Sequence, residues 1–347
     1  MLGWDILSPG LRAARSLVLT VFVLIAGLLS AAQPALAQST NNDQPDGVLN
    51  SVVGIDSRIP ANARTASFLG TTRQGSGVVI SDDGLVLTIG YLILEALQID
   101  IVLGNGRKIP ASVVAYDNES GFGIVRAATD IGVAPARLGT SDGMGVSTQV
   151  LLANRLGPQA AQGVFVVDRR EFVGAWEYIL DSAIYTSPPN PNFSGAGLFN
   201  ADGDLIGIGS LLVGNAAFLN QPVPGNMFVP IDELTPILDD LVASGRRTDP
   251  PRPWLGIAPS EIRDRVFIDR VSPESPAAAA GLQPGELIVS VDDTPVVSMS
   301  GLFKTIWRDR QAGDPVVLKL LSAEGQLREV SITSMDRSNW LRLDPSL

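Results

Sequence analysis

The stretch GSGVVISDDGLVLT, residues 75–88, decides the fold. Two runs rich in Val, Leu and Ile flank Asp82-Asp83-Gly84, a pattern typical of two strands joined by a turn. Short β runs and turns alternate in the same way from about Val48 to Thr129, with another hairpin turn at Asn105-Gly106. The β runs are predicted at Gly77–Ile80, Leu85–Thr88, Ile99–Leu103, Ile109–Tyr116 and Phe122–Arg126. This spacing predicts a small closed β-barrel.

A second series of β runs follows the loop at residues 139–145. Its strands are predicted at Thr148–Leu152, Gly163–Val173, Ile179–Tyr185, Gly197–Phe199, Leu205–Leu212 and Met227–Val229. Two series of similar size predict two packed barrels, and therefore a mainly β fold.

Helical signals are few before residue 250. Tyr91–Gln98 is a short apolar stretch of two turns, and Ile231–Ser244 has apolar residues at helical spacing before Gly245. The proline-rich stretch at residues 246–253 (Arg246–Pro253) is predicted to be a linker.

The remaining chain predicts an α+β module at residues 254–340. Strands alternate there with a short helix at Pro276–Gly281 and a longer helix at Ser298–Arg310. A strand is predicted at Glu286–Val291, and two more close the module.

Composition excludes several kinds of chemistry. The 347 residues include 35 Gly and 24 Pro, which favours turn-rich β structure over a helix bundle. There is no Cys and no His, so thiolate nucleophiles, disulfides and imidazole catalysis are excluded. The net charge of −11 is scattered, so no nucleic-acid partner is expected. No cofactor and no metal site are predicted.

The N-terminal segment has the pattern of a secretory signal. Arg12 and Arg15 precede the apolar run Leu17–Ala32, and Ala35-Leu36-Ala37 is a small-x-small cleavage site. We expect a signal peptide at residues 1–37, cleavage after Ala37, a flexible leader at residues 38–47 and a periplasmic protein. The alternative is an uncleaved anchor, although the apolar run is shorter than the ~20 residues that span a bilayer.

A serine lies in a glycine-rich turn at Asn192-Phe193-Ser194-Gly195-Ala196-Gly197. Such a turn can present a hydroxyl beside backbone N–H groups, which is the geometry of acyl transfer. Alone this signal is weak, because Ser-Gly turns between strands are common.

Three further segments match a known family pattern in the same order along the chain: the stretch at 75–88, Val113–Val125 and Asn226–Leu238. Together with the serine turn they resemble the HtrA/Deg family of trypsin-like serine proteases. The resemblance implies a chymotrypsin/trypsin-like double β-barrel at residues 48–245.

The same resemblance assigns the positions of the catalytic machinery. Ser194 matches the nucleophile, but Tyr91 stands at the position of the triad histidine and Gly121 at that of the triad aspartate. Asn192 replaces the glycine whose N–H helps to form the oxyanion hole.

These replacements predict a pseudoprotease. A tyrosine with a pKa of ~10 is only about 0.1% phenolate at pH 7, so it is a poor base for a serine. One alternative is a different base, such as Glu95, Asp117 or Lys108. Ser194 then either caps its turn or belongs to a cleft that still cradles peptides without cleaving them.

The C-terminal module resembles a bacterial PDZ domain through the stretch SPESPAAAAGLQPGELI, residues 272–288. The resemblance implies that Leu255, Gly256 and Ile257 form the loop that receives a peptide carboxylate, with Arg252 as its candidate ionic partner. Phe303 and Ile306 would line the opposite wall of the groove. Alternatively, these apolar residues form only the core.

We therefore predict an exported binding or regulatory protein of periplasmic protein quality control. Its partners would be protein C-termini or unfolded segments, and the family implies a trimer or mixed oligomers with HtrA relatives. The alternative functions are a serine endopeptidase with residual, Ser194-dependent activity, and a purely structural assembly partner.

Overall fold

Two closed β-barrels and a C-terminal sheet domain make up the computed structural model, which describes residues 46–343. The predicted signal peptide and all but the last two residues of the predicted leader lie outside the described residues. Asp46 and Gly47 begin a short helix, Asp46–Asn50, rather than ending a leader.

The first barrel contains six antiparallel strands in the order β1-β2-β3-β6-β5-β4. They are β1 Val52–Arg58, β2 Thr72–Val79, β3 Leu85–Ile89, β4 Gln98–Val102, β5 Lys108–Tyr116 and β6 Phe122–Ala127. Pairing of β1 with β4 closes it. The sequence-based prediction missed β1 and began β2 five residues late, at Gly77, but it placed the other four strands to within one residue at each end.

The second barrel has the order β10-β11-β12-β9-β8-β7. Its strands are β7 Gln149–Ala153, β8 Gln162–Gly174, β9 Tyr178–Ser187, β10 Gly197–Phe199, β11 Leu205–Leu219 and β12 Gln221–Pro230. All six correspond to predicted strands, and the fold class is confirmed. The β8–β9 hairpin turns at residues 175–177.

The C-terminal domain is a sheet in the order β13-β14-β15-β17-β18, with β16 paired to β15. Its strands are β13 Ile257–Glu261, β14 Val266–Val271, β15 Leu287–Val291, β16 Thr294–Pro295, β17 Pro315–Leu321 and β18 Leu327–Thr333. Helices span Pro276–Ala279, Met299–Trp307 and Arg337–Trp340, the last of which was not predicted. The helix Met299–Trp307 packs over the sheet, and β13 is an edge strand.

Two predicted helices differ in the structure. Tyr91–Gln98 forms no α-helix: a 3-10 turn spans Gly90–Leu92, and Glu95 has a left-handed φ of +60°, which interrupts helical backbone before β4 begins at Gln98. Ile231–Ser244 divides into a 3-10 turn, Ile231–Glu233, and the helix Leu238–Ser244. Pro236 explains the break, since a proline disfavours helical backbone at the residue before it.

The remaining short helices are Ala66–Leu69 and a 3-10 turn at Pro158–Ala160. No helix within residues 46–343 is long and apolar enough to cross a membrane.

One apolar cluster, rich in Val and Ile, spans both barrels, and a second cluster lies within the second barrel. The C-terminal domain has its own core, to which Ile179 of β9 contributes a buried side chain. A barrel residue therefore packs inside the C-terminal domain's apolar cluster.

Candidate functional site

Ser194 lies where the two barrels meet. The backbone N–H of Ser76, in β2, donates to the Ser194 carbonyl at 2.8 Å. The next amide, of Gly195, donates to the Gly209 carbonyl at 2.8 Å. Strands from both barrels therefore fix the turn that presents the half-buried serine.

The Ser194 hydroxyl contacts Tyr91. The Tyr91 hydroxyl oxygen is 2.9 Å from Ser194 Oγ and 2.9 Å from the carbonyl oxygen of Ser210. A carbonyl can only accept a hydrogen bond, so Tyr91 donates its single proton to Ser210. The bond between the two hydroxyls must then use the proton of Ser194, with the phenol oxygen as acceptor.

This acceptor is a very weak base. Burial raises the pKa of Tyr91 above its ordinary value, although the hydrogen bond with Ser194 lowers it in part. The phenol is therefore protonated at neutral pH. A general base must take the proton from the attacking hydroxyl, and a protonated phenol at this distance cannot do so.

In the turn before Ser194, the backbone N–H of Asn192 is hydrogen-bonded within the protein. The N–H of Asn192 donates to Oδ1 of Asn190 at 2.8 Å, and the N–H of Asn190 donates to Oδ1 of buried Asn226 at 2.7 Å. An oxyanion hole needs free N–H groups aimed at the reacting oxygen. The Asn192 amide is already committed to an internal acceptor.

Gly121 has a left-handed backbone conformation and little room for a side chain. Its φ is +80°, and its carbonyl accepts from the N–H of Gly90 at 2.8 Å. A Cβ built at this position would lie 3.3 Å from the ring of Tyr178. A side chain here would meet both a left-handed backbone and a close aromatic neighbour.

Glu95, one of the alternative bases, is fully engaged elsewhere. Its carboxylate accepts from the amides of Arg64, Thr65 and Arg342 at 2.8 to 3.0 Å and from the Thr65 hydroxyl at 2.7 Å. Burial alone would raise the pKa of Glu95, but these hydrogen bonds outweigh it and lower the pKa. Its role is to tie loops together.

Asp117 and Lys108 are also paired with other residues. Arg247 donates twice to the buried Asp117 carboxylate, at 2.6 and 2.9 Å, and Lys108 Nζ donates to Asp56 at 2.9 Å. Among the described residues, Tyr91 is the only side chain hydrogen-bonded to the Ser194 hydroxyl.

The predicted peptide groove is formed by buried residues of the C-terminal domain. Leu255, Ile257, Phe303 and Ile306 share one apolar cluster, which Ile179 of β9 completes.

Arg252, the candidate carboxylate partner, lies elsewhere and is already paired. It forms an ion pair with Glu119 at 2.8 Å and stacks 4.7 Å above the ring of Trp307.

Gly256 could not be replaced without moving its neighbours. Its φ is +83°, and a Cβ would lie 2.2 Å from the Cβ of Ser275. This backbone turns three successive amides, those of Leu255, Gly256 and Ile257, toward one acceptor. That acceptor is the carboxylate of Glu177, at 2.7 to 3.3 Å.

Sequence reasoning missed Glu177. The residue lies at the tip of the β8–β9 hairpin, 78 positions before Leu255, and nothing in its local pattern marks it. Only the folded arrangement of barrel and C-terminal domain brings the two together.

Comparison with known protein families covers both halves of the described chain. The family described as "Trypsin-like peptidase domain" matches residues 75–208, and "PDZ domain" matches residues 253–333. A solved structure of the HtrA-type protease AlgW with a decapeptide aligns with a TM-score of 0.51 at 19% identity, covering 85% of this chain and 97% of that one. This likeness concerns the fold.

Relatives in sequence are named as serine proteases. "Serine endoprotease DegS" of Haemophilus influenzae is 30% identical over 245 residues, which is 67% of this chain and 68% of the relative. "Serine protease PepD" of Mycobacterium tuberculosis is 26% identical, over 76% of this chain and 61% of the relative. A "Probable periplasmic serine endoprotease DegP-like" of Halomonas elongata is 27% identical, over 76% and 56%.

Proposed function

We propose that this chain, which belongs to the HtrA/Deg family of trypsin-like serine proteases with a PDZ domain, is a binding and regulatory protein with an inactive peptidase centre. Its PDZ domain binds protein C-termini or unfolded segments in the periplasm, where it serves protein quality control.

The observation that carries this proposal is the hydrogen bond between Ser194 and Tyr91, in a chain without histidine. Within residues 46–343 the serine proton has no acceptor that is basic at neutral pH. Removing triad members from a serine protease leaves only ~10³- to 10⁴-fold acceleration over water, from substrate binding and the oxyanion hole. Here an expected donor of that hole, the amide of Asn192, is also occupied.

The PDZ domain supports a binding role. Strand β13 lies at the edge of its sheet, so an extended peptide can add to it as a further strand. The adjoining helix Met299–Trp307 supplies Phe303 and Ile306, which give this groove an apolar wall. Export is supported by the N-terminal signal pattern and by the relative named as periplasmic. Mixed assembly with active relatives would be its regulatory route.

Digestion of an unfolded protein tests the inactivity. Purified protein beginning at residue 38 is incubated with fluorescent casein beside its Ser194→Ala variant, with trypsin as the positive control. We expect equal, background rates from both forms. Cleavage that Ser194→Ala abolishes would instead support a serine endopeptidase with residual activity, the function named for its relatives.

A further inference from the structure

The carboxylate-binding loop of the PDZ domain is occupied by a side chain of the same protein. Oε1 of Glu177 accepts from the amides of Gly256 at 2.7 Å and Ile257 at 3.1 Å, and Oε2 accepts from that of Leu255 at 3.1 Å. Three successive backbone donors on one carboxylate form the arrangement by which such a loop holds a peptide C-terminus. Glu177 is 7% exposed, so the contact is shielded from water.

The same hairpin also supplies an apolar side chain. Ile179, two residues after Glu177, is 8% exposed and packs in one cluster with Leu255, Ile257 and Phe303. A PDZ groove selects its ligands by a carboxylate together with an apolar side chain beside it. The β8–β9 hairpin presents both features at once.

We infer that the β8–β9 hairpin is an internal ligand of the PDZ groove, and that a peptide C-terminus must displace the Glu177 carboxylate to bind. This inference rests on the proposed peptide-binding function and adds its regulation. The groove would be closed in the resting protein and would open when the hairpin leaves.

The surroundings of the Glu177 contact leave room for a peptide to displace it. Among the described residues β13 pairs only with β14, so the strand edge beside the loop stays available to a peptide. A cavity of about 420 Å³ opens next to Glu177, between barrel and PDZ residues that include Asp117 and Trp254.

Few polar contacts besides those of Glu177 join the hairpin to the PDZ domain, whereas Tyr178 anchors it to the first barrel through a hydrogen bond to the Ser120 carbonyl at 2.6 Å. Lys304 pairs with Glu171, and Arg337 donates to the Trp176 carbonyl at 3.3 Å. An exposed ion pair of this kind contributes little.

A tethered ligand competes strongly even when its intrinsic affinity is low, because its effective concentration is of millimolar order. The apparent dissociation constant for a peptide is the intrinsic one divided by the fraction of open protein. Removing the internal carboxylate should therefore tighten peptide binding without changing any residue of the groove.

The test compares wild type, Glu177→Ala and Glu171→Ala. The second variant is a matched control, because it removes a glutamate of the same hairpin that does not contact the loop. Fluorescence anisotropy measures binding of four fluorescein-labelled decapeptides that differ only in a C-terminal Leu, Ile, Val or Phe. Each has a free carboxylate or, as a control, a C-terminal amide.

We expect Glu177→Ala to bind at least one free-acid peptide about 10-fold or more tighter than wild type, and Glu171→Ala within about 2-fold of it. The amidated peptides should not bind. Equal affinities of wild type and Glu177→Ala would overturn the inference, because the groove would then be open in the resting protein.

Amide hydrogen exchange separates this inference from the peptide-binding function. If no peptide binds any form, but the amides of Leu255–Ile257 lose protection in Glu177→Ala and not in Glu171→Ala, the internal contact stands and the binding function fails. Unchanged protection would overturn the internal contact. Should Glu177→Ala not fold, wild type is measured alone: a bound free-acid peptide must increase exchange across residues 171–180, and no increase contradicts the inference.

Discussion

At the residue scale, the hydroxyl of Tyr91 makes two hydrogen bonds. Its hydroxyl satisfies the buried carbonyl of Ser210 and accepts the proton of Ser194. A histidine in a triad has a nitrogen lone pair with a pKa near neutrality, whereas burial moves the pKa of this phenol further from neutrality. The proposed loss of activity therefore follows from proton affinity, while the geometry around the serine stays ordered.

The Tyr91→Phe variant tests this structural role. It removes one hydroxyl and leaves the Ser210 carbonyl without its partner, so the free energy of unfolding should fall by about 1–2 kcal/mol. Urea denaturation measures the change. Tyr116→Phe is the control, since the Tyr116 hydroxyl has no hydrogen-bond partner within residues 46–343, and we expect a change within about 0.5 kcal/mol. Equal effects of both variants would contradict the role given to Tyr91.

At the scale of the element, a buried amide pair shapes the turn that presents Ser194. Asn226, on β12, accepts from the Asn190 N–H at 2.7 Å and donates from Nδ2 to the Asn190 carbonyl at 3.1 Å. Asn190 in turn accepts the N–H of Asn192. The amide that would otherwise face an oxyanion is held by a chain of hydrogen bonds that begins on a neighbouring strand.

The Asn226→Ala variant should therefore destabilise the barrel. The buried Asn190 N–H loses its acceptor, which costs about 1–3 kcal/mol in the free energy of unfolding. Asn215→Ala, at an exposed site on β11, serves as the control and should stay within about 0.5 kcal/mol. Chemical denaturation of both variants measures this. If Asn226→Ala were as stable as the control, the turn would not depend on the amide pair.

At the scale of the whole molecule, the contact between barrel and PDZ domain depends on a titratable group. Burial raises the pKa of Glu177 to about 7, and the amides of the loop and the charge of Arg337 offset only part of this effect. A glutamate free in water has a pKa of ~4.3. Glu177 therefore binds a proton more tightly when the hairpin is docked than when it is free. The stabilisation that this proton gives to the docked state is complete below the free pKa of ~4.3 and is lost as the pH rises through about 7.

We predict that the hairpin leaves the groove more often as the pH rises from 5 to 8. Exchange of the Leu255–Ile257 amides, corrected for the intrinsic pH dependence of exchange, should increase in wild type and stay flat in Glu177→Gln.

The other charged groups near this contact do not give the same response. Arg337 faces the contact through its hydrogen bond to the Trp176 carbonyl. Burial alone would raise the pKa of Asp117, but its ion pair with Arg247 outweighs burial. The pKa of Asp117 is therefore lowered, and Asp117 stays ionised. Burial also raises the pKa of Glu119, so Glu119→Gln is the control and must retain the response. A pH response that persists in Glu177→Gln would contradict the assignment to Glu177.

Local patterns predicted most of the fold. Turn residues such as Asp82-Asp83-Gly84 and alternating apolar runs located the strands, because both act over a few neighbouring positions. Strand β1 was missed, since its mixed sequence VVGIDSR pairs with β2 and β4 only in the closed barrel. The helix predicted at Ile231–Ser244 was wrong in its middle, where Pro236 interrupts it.

The site was predictable only where a resemblance supplied the positions. Ser194 and Tyr91 are 103 residues apart, and their spacing alone says nothing of the 2.9 Å contact between them. Neither a local pattern nor the family resemblance pointed to Glu177. Its role depends on the docking of two domains, which is decided by many weak contacts across the chain.

Reaction of Ser194 with a fluorophosphonate tests the central claim most directly, because the probe needs an activated serine and no particular substrate. Wild type and Ser194→Ala are incubated with excess probe for several hours beside trypsin, and intact mass spectrometry counts the adducts. We predict that trypsin is fully labelled and that neither form of this protein gains the mass of the probe. A stoichiometric adduct on wild type that is absent from Ser194→Ala would contradict an inactive centre and require a base other than histidine.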